Sequence, residues 1–132
     1  MPPRIDIERA VIADVVAAFY AKIRIHPVLG PVFAAHVSDW VHHEEKITRF
    51  WASAILHERS YDGNPMQIHM QAGDVHTSHF AAWLDIFEET VTEKVPAPQS
   101  EAWSLLARRI GRGLSMGVAD VRRPSGAVPI LR

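Results

Sequence analysis

Tyr61-Asp62-Gly63-Asn64-Pro65-Met66-Gln67-Ile68-His69-Met70 reads as a turn that opens a short helix carrying one imidazole, His69. Asp62, Gly63 and Asn64 favour the turn, and Pro65 suits the first helical position, where its missing N–H is not needed. The short helix is expected to end near Gly73. On both sides of it the apolar residues recur at helical spacing. The chain therefore reads as all-α, with no strand pair or repeat.

Asp6 is expected to cap a first helix reaching about Ile25, with Val11, Ile12, Val15, Val16, Phe19, Tyr20 and Ile23 on one face. His26-Pro27 stops it, because the residue before proline disfavours helical angles. Leu29-Gly30-Pro31 is expected to turn the chain, and Val32-Phe33 to follow in a short connecting segment. Ser38 or Asp39 caps the next helix, to about Leu56. Its buried face is Trp40, His43, Ile47, Phe50, Trp51, Ala54 and Ile55, while His42, Glu45 and Arg49 point elsewhere. After the His69 segment, Thr77 or Ser78 is expected to cap a helix with Phe80, Trp83, Leu84, Phe87 and Val91 inward. Pro96-Ala97-Pro98 breaks the chain before a last helix with Trp103, Leu106, Ala107, Ile110 and Leu114 inward. Gly111, Gly113 and Gly117 weaken its far end. Residues 1–119 form one domain, and residues 120–132 are expected to be a mobile tail.

A chain of 132 residues buries roughly two-thirds of its unfolded surface, enough for one core. Hydrophobic residues make up 48% and charged residues 22%, with a formal net charge of −1. That balance gives no electrostatic reason to expect nucleic acid or an acidic membrane as partner. No apolar run approaches the roughly 18 residues of a membrane span. The start Met1-Pro2-Pro3-Arg4-Ile5-Asp6 lacks the apolar stretch of a secretory signal, which leaves the cytoplasm as the default compartment. The absence of cysteine excludes a disulfide framework, thiolate clusters and a thiol nucleophile. Of the eight histidines, His26, His36, His57 and His76 are expected to face solvent or to cap helices.

Four polar residues, Tyr20, His43, His69 and Trp83, are thus directed inward from separate segments. Core packing is the competing reading for each alone, since a buried ring can find a backbone partner and do nothing more. Their convergence favours a site, because an unpaired buried polar group costs about 1–3 kcal/mol. Tetrahedral zinc needs three or four ligands, and neither His76-x-x-His79 nor the run His42-His43-Glu44-Glu45 aims that many at one point. A di-iron bundle needs Glu-x-x-His on two helices, and the nearest approach is Asp39-x-x-His42. A haem requires less: one imidazole on the iron and apolar side chains against the macrocycle. His69 supplies the first. Phe33, Ile47, Phe50 and Met70 are candidates for the second, and Tyr20 and Trp83 can donate to a gas on the opposite face.

Five pieces carry a family resemblance. They are Phe19-Tyr20; Leu29-Gly30-Pro31-Val32-Phe33; Trp40-x-x-His43-x-x-x-Ile47-x-x-Phe50-Trp51; Tyr61-x-Gly63-x-Pro65-x-x-x-His69; and His79-Phe80-x-x-Trp83-Leu84-x-x-Phe87. In this order and spacing, over about residues 8–118, the chain resembles the truncated haemoglobins of group III. It also lacks the paired glycines typical of groups I and II. The resemblance implies a compact globin-like fold, a two-over-two helical sandwich around haem b (iron protoporphyrin IX). It makes His69 the iron ligand, Tyr20 the distal tyrosine, Trp83 the tryptophan that closes the distal pocket and His43 the distal histidine. Phe33, Ile47 and Phe50 match haem-contacting positions, and Lys46 and His79 are candidates to reach the propionates.

The function implied is reversible binding of oxygen, and of nitric oxide or carbon monoxide. A hydrogen bond from Tyr20 or Trp83 to bound dioxygen is charge-assisted and worth about 1.5–3 kcal/mol, so oxygen release is expected to be slow. Slow release argues against bulk transport. It leaves gas binding, storage or sensing on one side, and nitric oxide dioxygenation or peroxidase-like catalysis on the other. No segment resembles a flavin- or nicotinamide-binding one, so catalysis would draw its electrons from a separate reductase. A globin-shaped interaction protein without cofactor is the third reading.

Overall fold

The computed structural model describes residues 3–58 and 76–121. Among them are five helices and no strand. Helix α1 is Arg9–Ile25, α2 is Leu29–His36, α3 is Trp40–Leu56, α4 is Thr77–Lys94 and α5 is Gln99–Val121. The turn and short helix expected around His69 lie outside the described residues, as does the tail beyond Val121. Helix α5 itself continues through Val121, past the expected domain boundary at residue 119.

Of the expected stripe of α1, Ile12, Val15, Val16, Phe19, Tyr20 and Ile23 are buried, and Val11 is half-buried. The helix ends where His26-Pro27 requires. Its start differs. Asp6 lies outside the helix, and Glu8 occupies the cap position without a side-chain bond. The preceding segment is held elsewhere: Arg4 N–H donates to Ile55 O at 2.7 Å, Arg4 Nε to Ala54 O at 3.0 Å, and Ile5 is buried. These bonds satisfy carbonyls that the end of α3 leaves without helical partners.

Leu29–His36 is a helix of eight residues, not the turn and connecting segment that its glycine and proline suggest. His26 is the reason. Its Nδ1 accepts from Val28 N–H at 3.1 Å and Leu29 N–H at 3.0 Å, satisfying donors at the helix entry. Pro31 falls in the first turn, where its lack of an N–H is harmless. Gly30 is buried against α1. A Cβ there would meet Arg24 O at 2.9 Å and Ile23 O at 3.3 Å, so only glycine allows this approach.

Helix α3 starts on Asp39, whose Oδ1 accepts from His42 N–H at 3.1 Å. His57 closes it in a left-handed conformation (φ 61°), a position more often glycine. For α4 the cap is His76, not Thr77 or Ser78. His79 Nδ1 reaches back to accept His76 N–H at 3.0 Å, the role a glutamate plays in a capping box. Helix α5 follows Pro98, with Trp103, Leu106 and Ala107 buried as expected.

Helices α1 and α3 form one pair, α4 and α5 the other; α1 lies on α4, and α2 touches both. The core where the pairs cross is aromatic. Trp51 and Phe87 stack at 5.2 Å, and Trp103 meets their edges at 5.7 and 5.5 Å. Burial of each such side chain contributes about 1.5–3 kcal/mol. Two buried threonine hydroxyls are satisfied locally: Thr48 donates to Glu44 O and Thr90 to Ile86 O, both at 2.8 Å. At the surface Lys22 ties α1 to α4 through Glu89 and Glu93. No helix among the described residues is long and apolar enough to cross a membrane.

Candidate functional site

Helix α3 carries two inward stripes of different depth. Thr48, Trp51, Ala52 and Ile55 are buried. One side over, Trp40, His43, Ile47, Phe50 and Ala54 are only half-buried, although all but His43 are hydrophobic. Phe33 of α2 and Trp83 of α4 are half-buried too. Large apolar side chains left with an open flank in this way suit contact with a large apolar group.

At one end of the stripe four rings close on each other. Tyr20, Phe33, Trp40 and His43 are all mutual neighbours, with centroids 5.0 to 6.5 Å apart. The tightest pair is Tyr20 and His43, edge to face at 5.0 Å. They come from α1, α2 and α3. The cap at Asp39 sets the register of α3, the His26 cap sets that of α2, and the Gly30 contact holds α2 against α1. Trp83 joins the cluster indirectly: Phe19 touches both Tyr20 at 4.9 Å and Trp83 at 5.2 Å. Trp83 is in turn stacked on Phe87.

The electrostatics follow from burial. Tyr20 is 2% exposed. Desolvation, with the Glu44 carboxylate adding to it, pushes its phenol far above the ordinary range, so the hydroxyl keeps its proton as a donor. Burial pushes the His43 imidazole down to about 4, with repulsion from Lys46 and His42 in the same direction. His43 is therefore neutral near pH 7. Its Nε2 is buried and has no hydrogen-bond partner. Such a group costs free energy unless something polar completes it.

The structure thus brings together Tyr20, Phe33 and His43 of the expected site and places Ile47 and Phe50 along the same stripe. Lys46, one turn beyond His43, is half-buried. His79 lies at the start of α4, half-buried, with Nδ1 engaged by His76. His69 and Met70 lie outside the described residues. Among the described residues no three histidine or carboxylate side chains converge as a metal site. Trp40, expected on the buried face of α3 and in the family motif but not as a site residue, stands three residues before His43 on the same helix face. Arg24, one turn after Tyr20, was not singled out from the sequence. The Arg24 guanidinium carbon lies 4.4 Å from the centroid of the Trp40 ring. The i, i+3 and i, i+4 spacings were the available signal.

No family model matches the chain. It is 38% identical over 84 residues to a group 3 truncated haemoglobin of Campylobacter jejuni, an alignment covering 61% of this chain and 66% of that relative. It is also similar to the crystal structure of a group III truncated haemoglobin from Campylobacter jejuni. That superposition has a TM-score of 0.81 at 29% identity, covering 85% of this chain and 91% of the other.

Proposed function

Because the chain belongs to the group III truncated haemoglobins, we propose that it holds haem b and reversibly binds oxygen and other diatomic gases, releasing oxygen slowly. The fold is the truncated-globin fold, and globins carry haem. The residues present fit that group. The half-buried stripe of Phe33, Ile47 and Phe50, with Trp83 from α4, offers apolar flanks to a macrocycle, and the buried unpartnered Nε2 of His43 calls for a polar partner. His69 is the residue proposed to ligate the iron, with Met70 beside it and Lys46 and His79 reaching the propionates.

The haem supplies the iron centre at which a small gas binds. This chain's residues do the rest. Tyr20, deeply buried and held protonated, donates its O–H toward the gas. The Trp83 indole N–H is a second donor. Phe33, Trp40 and His43 wall the distal side and exclude water, which strengthens those hydrogen bonds. Neutral His43 places no competing positive charge there.

The observation that carries this reading is the closed ring cluster around a buried, protonated Tyr20. Tyr20→Phe removes the hydroxyl and keeps the ring. One charge-assisted hydrogen bond corresponds to about a 10- to 100-fold change in rate. Stopped-flow displacement of oxygen by carbon monoxide is expected to show dissociation from Tyr20→Phe faster by that factor. An unchanged rate would remove Tyr20 from the role of donor.

A further inference from the structure

We propose that Arg24 and Trp40 form a latch on the route by which gas enters and leaves the distal pocket, acting through His43. The proposal rests on the haem reading given above.

Four groups form a column graded in depth. Arg24 is exposed, Trp40 and His43 are half-buried, and Tyr20 is buried. Successive members touch. The guanidinium sits 4.4 Å over the Trp40 ring, Trp40 lies 5.9 Å from His43 and 5.8 Å from Tyr20, and His43 lies 5.0 Å from Tyr20. The column spans the gap between the last turn of α1 and the first residue of α3. Helices α1 and α3 pack directly on each other there, and Phe33 of α2 flanks Trp40 at 6.5 Å. His43 Nε2 has no partner among the described residues, so no hydrogen bond from that nitrogen holds the ring in place. Packing against Tyr20, Trp40 and Phe33 holds it. Trp40 is in turn held from outside by the cation on its face. In the proposed latch, the His43 ring swings outward once Trp40 leaves Arg24.

A latch has a kinetic signature that a distal donor lacks. It raises the barrier to entry and exit alike, because it is closed in both the empty and the occupied protein. Its removal speeds association and dissociation by one common factor and leaves the equilibrium constant where it was. Loss of a donor, by contrast, changes the dissociation rate and the affinity. At an exposed site a cation–ring contact corresponds to about a two- to five-fold change in rate.

The test is carbon monoxide binding to haem-loaded Arg24→Gln, Arg24→Lys and Trp40→Phe, beside the unaltered protein. Arg24→Gln is expected to raise association and dissociation rates together by about two- to five-fold, with affinity unchanged. Arg24→Lys, which keeps a cation, should fall near the unaltered protein. Trp40→Phe, a weaker ring for a cation, should move in the same direction as Arg24→Gln. Independently, the Trp40 indole N–H resonance is expected to broaden by exchange in Arg24→Gln and not in Arg24→Lys. Unchanged rates in Arg24→Gln, or a shift in affinity with association unmoved, would overturn the latch while leaving the haem reading intact. A protein that takes up no haem would overturn both.

Discussion

Lowering the pH from 7 to 5 is expected to weaken the fold through His43. In the folded protein burial, with Lys46 and His42 adding repulsion, pushes its imidazole down to about 4 from the ordinary 6.5. Between those values the unfolded chain takes up a proton that folded His43 refuses. The contribution is therefore fully retained above 6.5 and is lost as the pH falls toward 4. Each pH unit inside the window corresponds to about 1.4 kcal/mol. From 6.5 to 5 the difference would be about 2 kcal/mol for a fully buried ring, and solvent screening of half-buried His43 reduces it to about 1 kcal/mol. The assay is chemical denaturation of the haem-loaded protein and of His43→Phe, each at pH 7 and pH 5, followed by helix circular dichroism. His43→Phe keeps a ring in the cluster and removes the titration. The unaltered protein should lose about 1 kcal/mol more than the variant on going to pH 5. An equal loss in both would refute the assignment of a buried, neutral imidazole at this position.

Two glycines should respond to alanine with opposite signs in the same thermal melt. Gly30→Ala places a methyl 2.9 Å from the Arg24 carbonyl and is expected to cost about 1–3 kcal/mol. Gly113→Ala meets nothing within 4 Å and should stabilise α5 by about 0.5–1 kcal/mol; a shared sign would contradict the packing of α2 on α1. His26→Ala removes the acceptor for Val28 and Leu29 N–H and is expected to cost about 1 kcal/mol. Amide exchange should locate that loss in α2, and unaltered protection there would show that His26 does not hold the helix.

The long helices were legible because their signals are local. His26-Pro27 ends α1, Asp39 starts α3, and the apolar stripes of α1 and α5 coincide with their buried faces. Helix α2 was not legible. Its Leu29-Gly30-Pro31 start reads as a turn, and the helix exists because a histidine side chain caps it and Gly30 fits against another helix. His76 was a candidate cap, but Thr77 or Ser78 was preferred for α4, because His76 and His79 substitute for the serine and glutamate of the usual pairing. In the site, Tyr20 and His43 stood out as polar residues on apolar stripes. Arg24 did not, since a charged residue at a helix end ordinarily reads as solvated, and only the position of Trp40 across the gap gives it a partner. His42 shows the pattern working in reverse, because periodicity directed it outward and the structure leaves it exposed.

This chain is proposed to hold one haem through His69. Titration of the purified protein with haemin, followed by visible absorption before and after reduction and addition of carbon monoxide, tests it most directly, with His69→Ala alongside. One-to-one uptake with the spectrum of an imidazole-ligated haem is expected, together with a shift on carbon monoxide binding. His69→Ala should bind haemin weakly and regain the spectrum when free imidazole is supplied. A protein that stays colourless, or a His69→Ala variant indistinguishable from the unaltered chain, would contradict it.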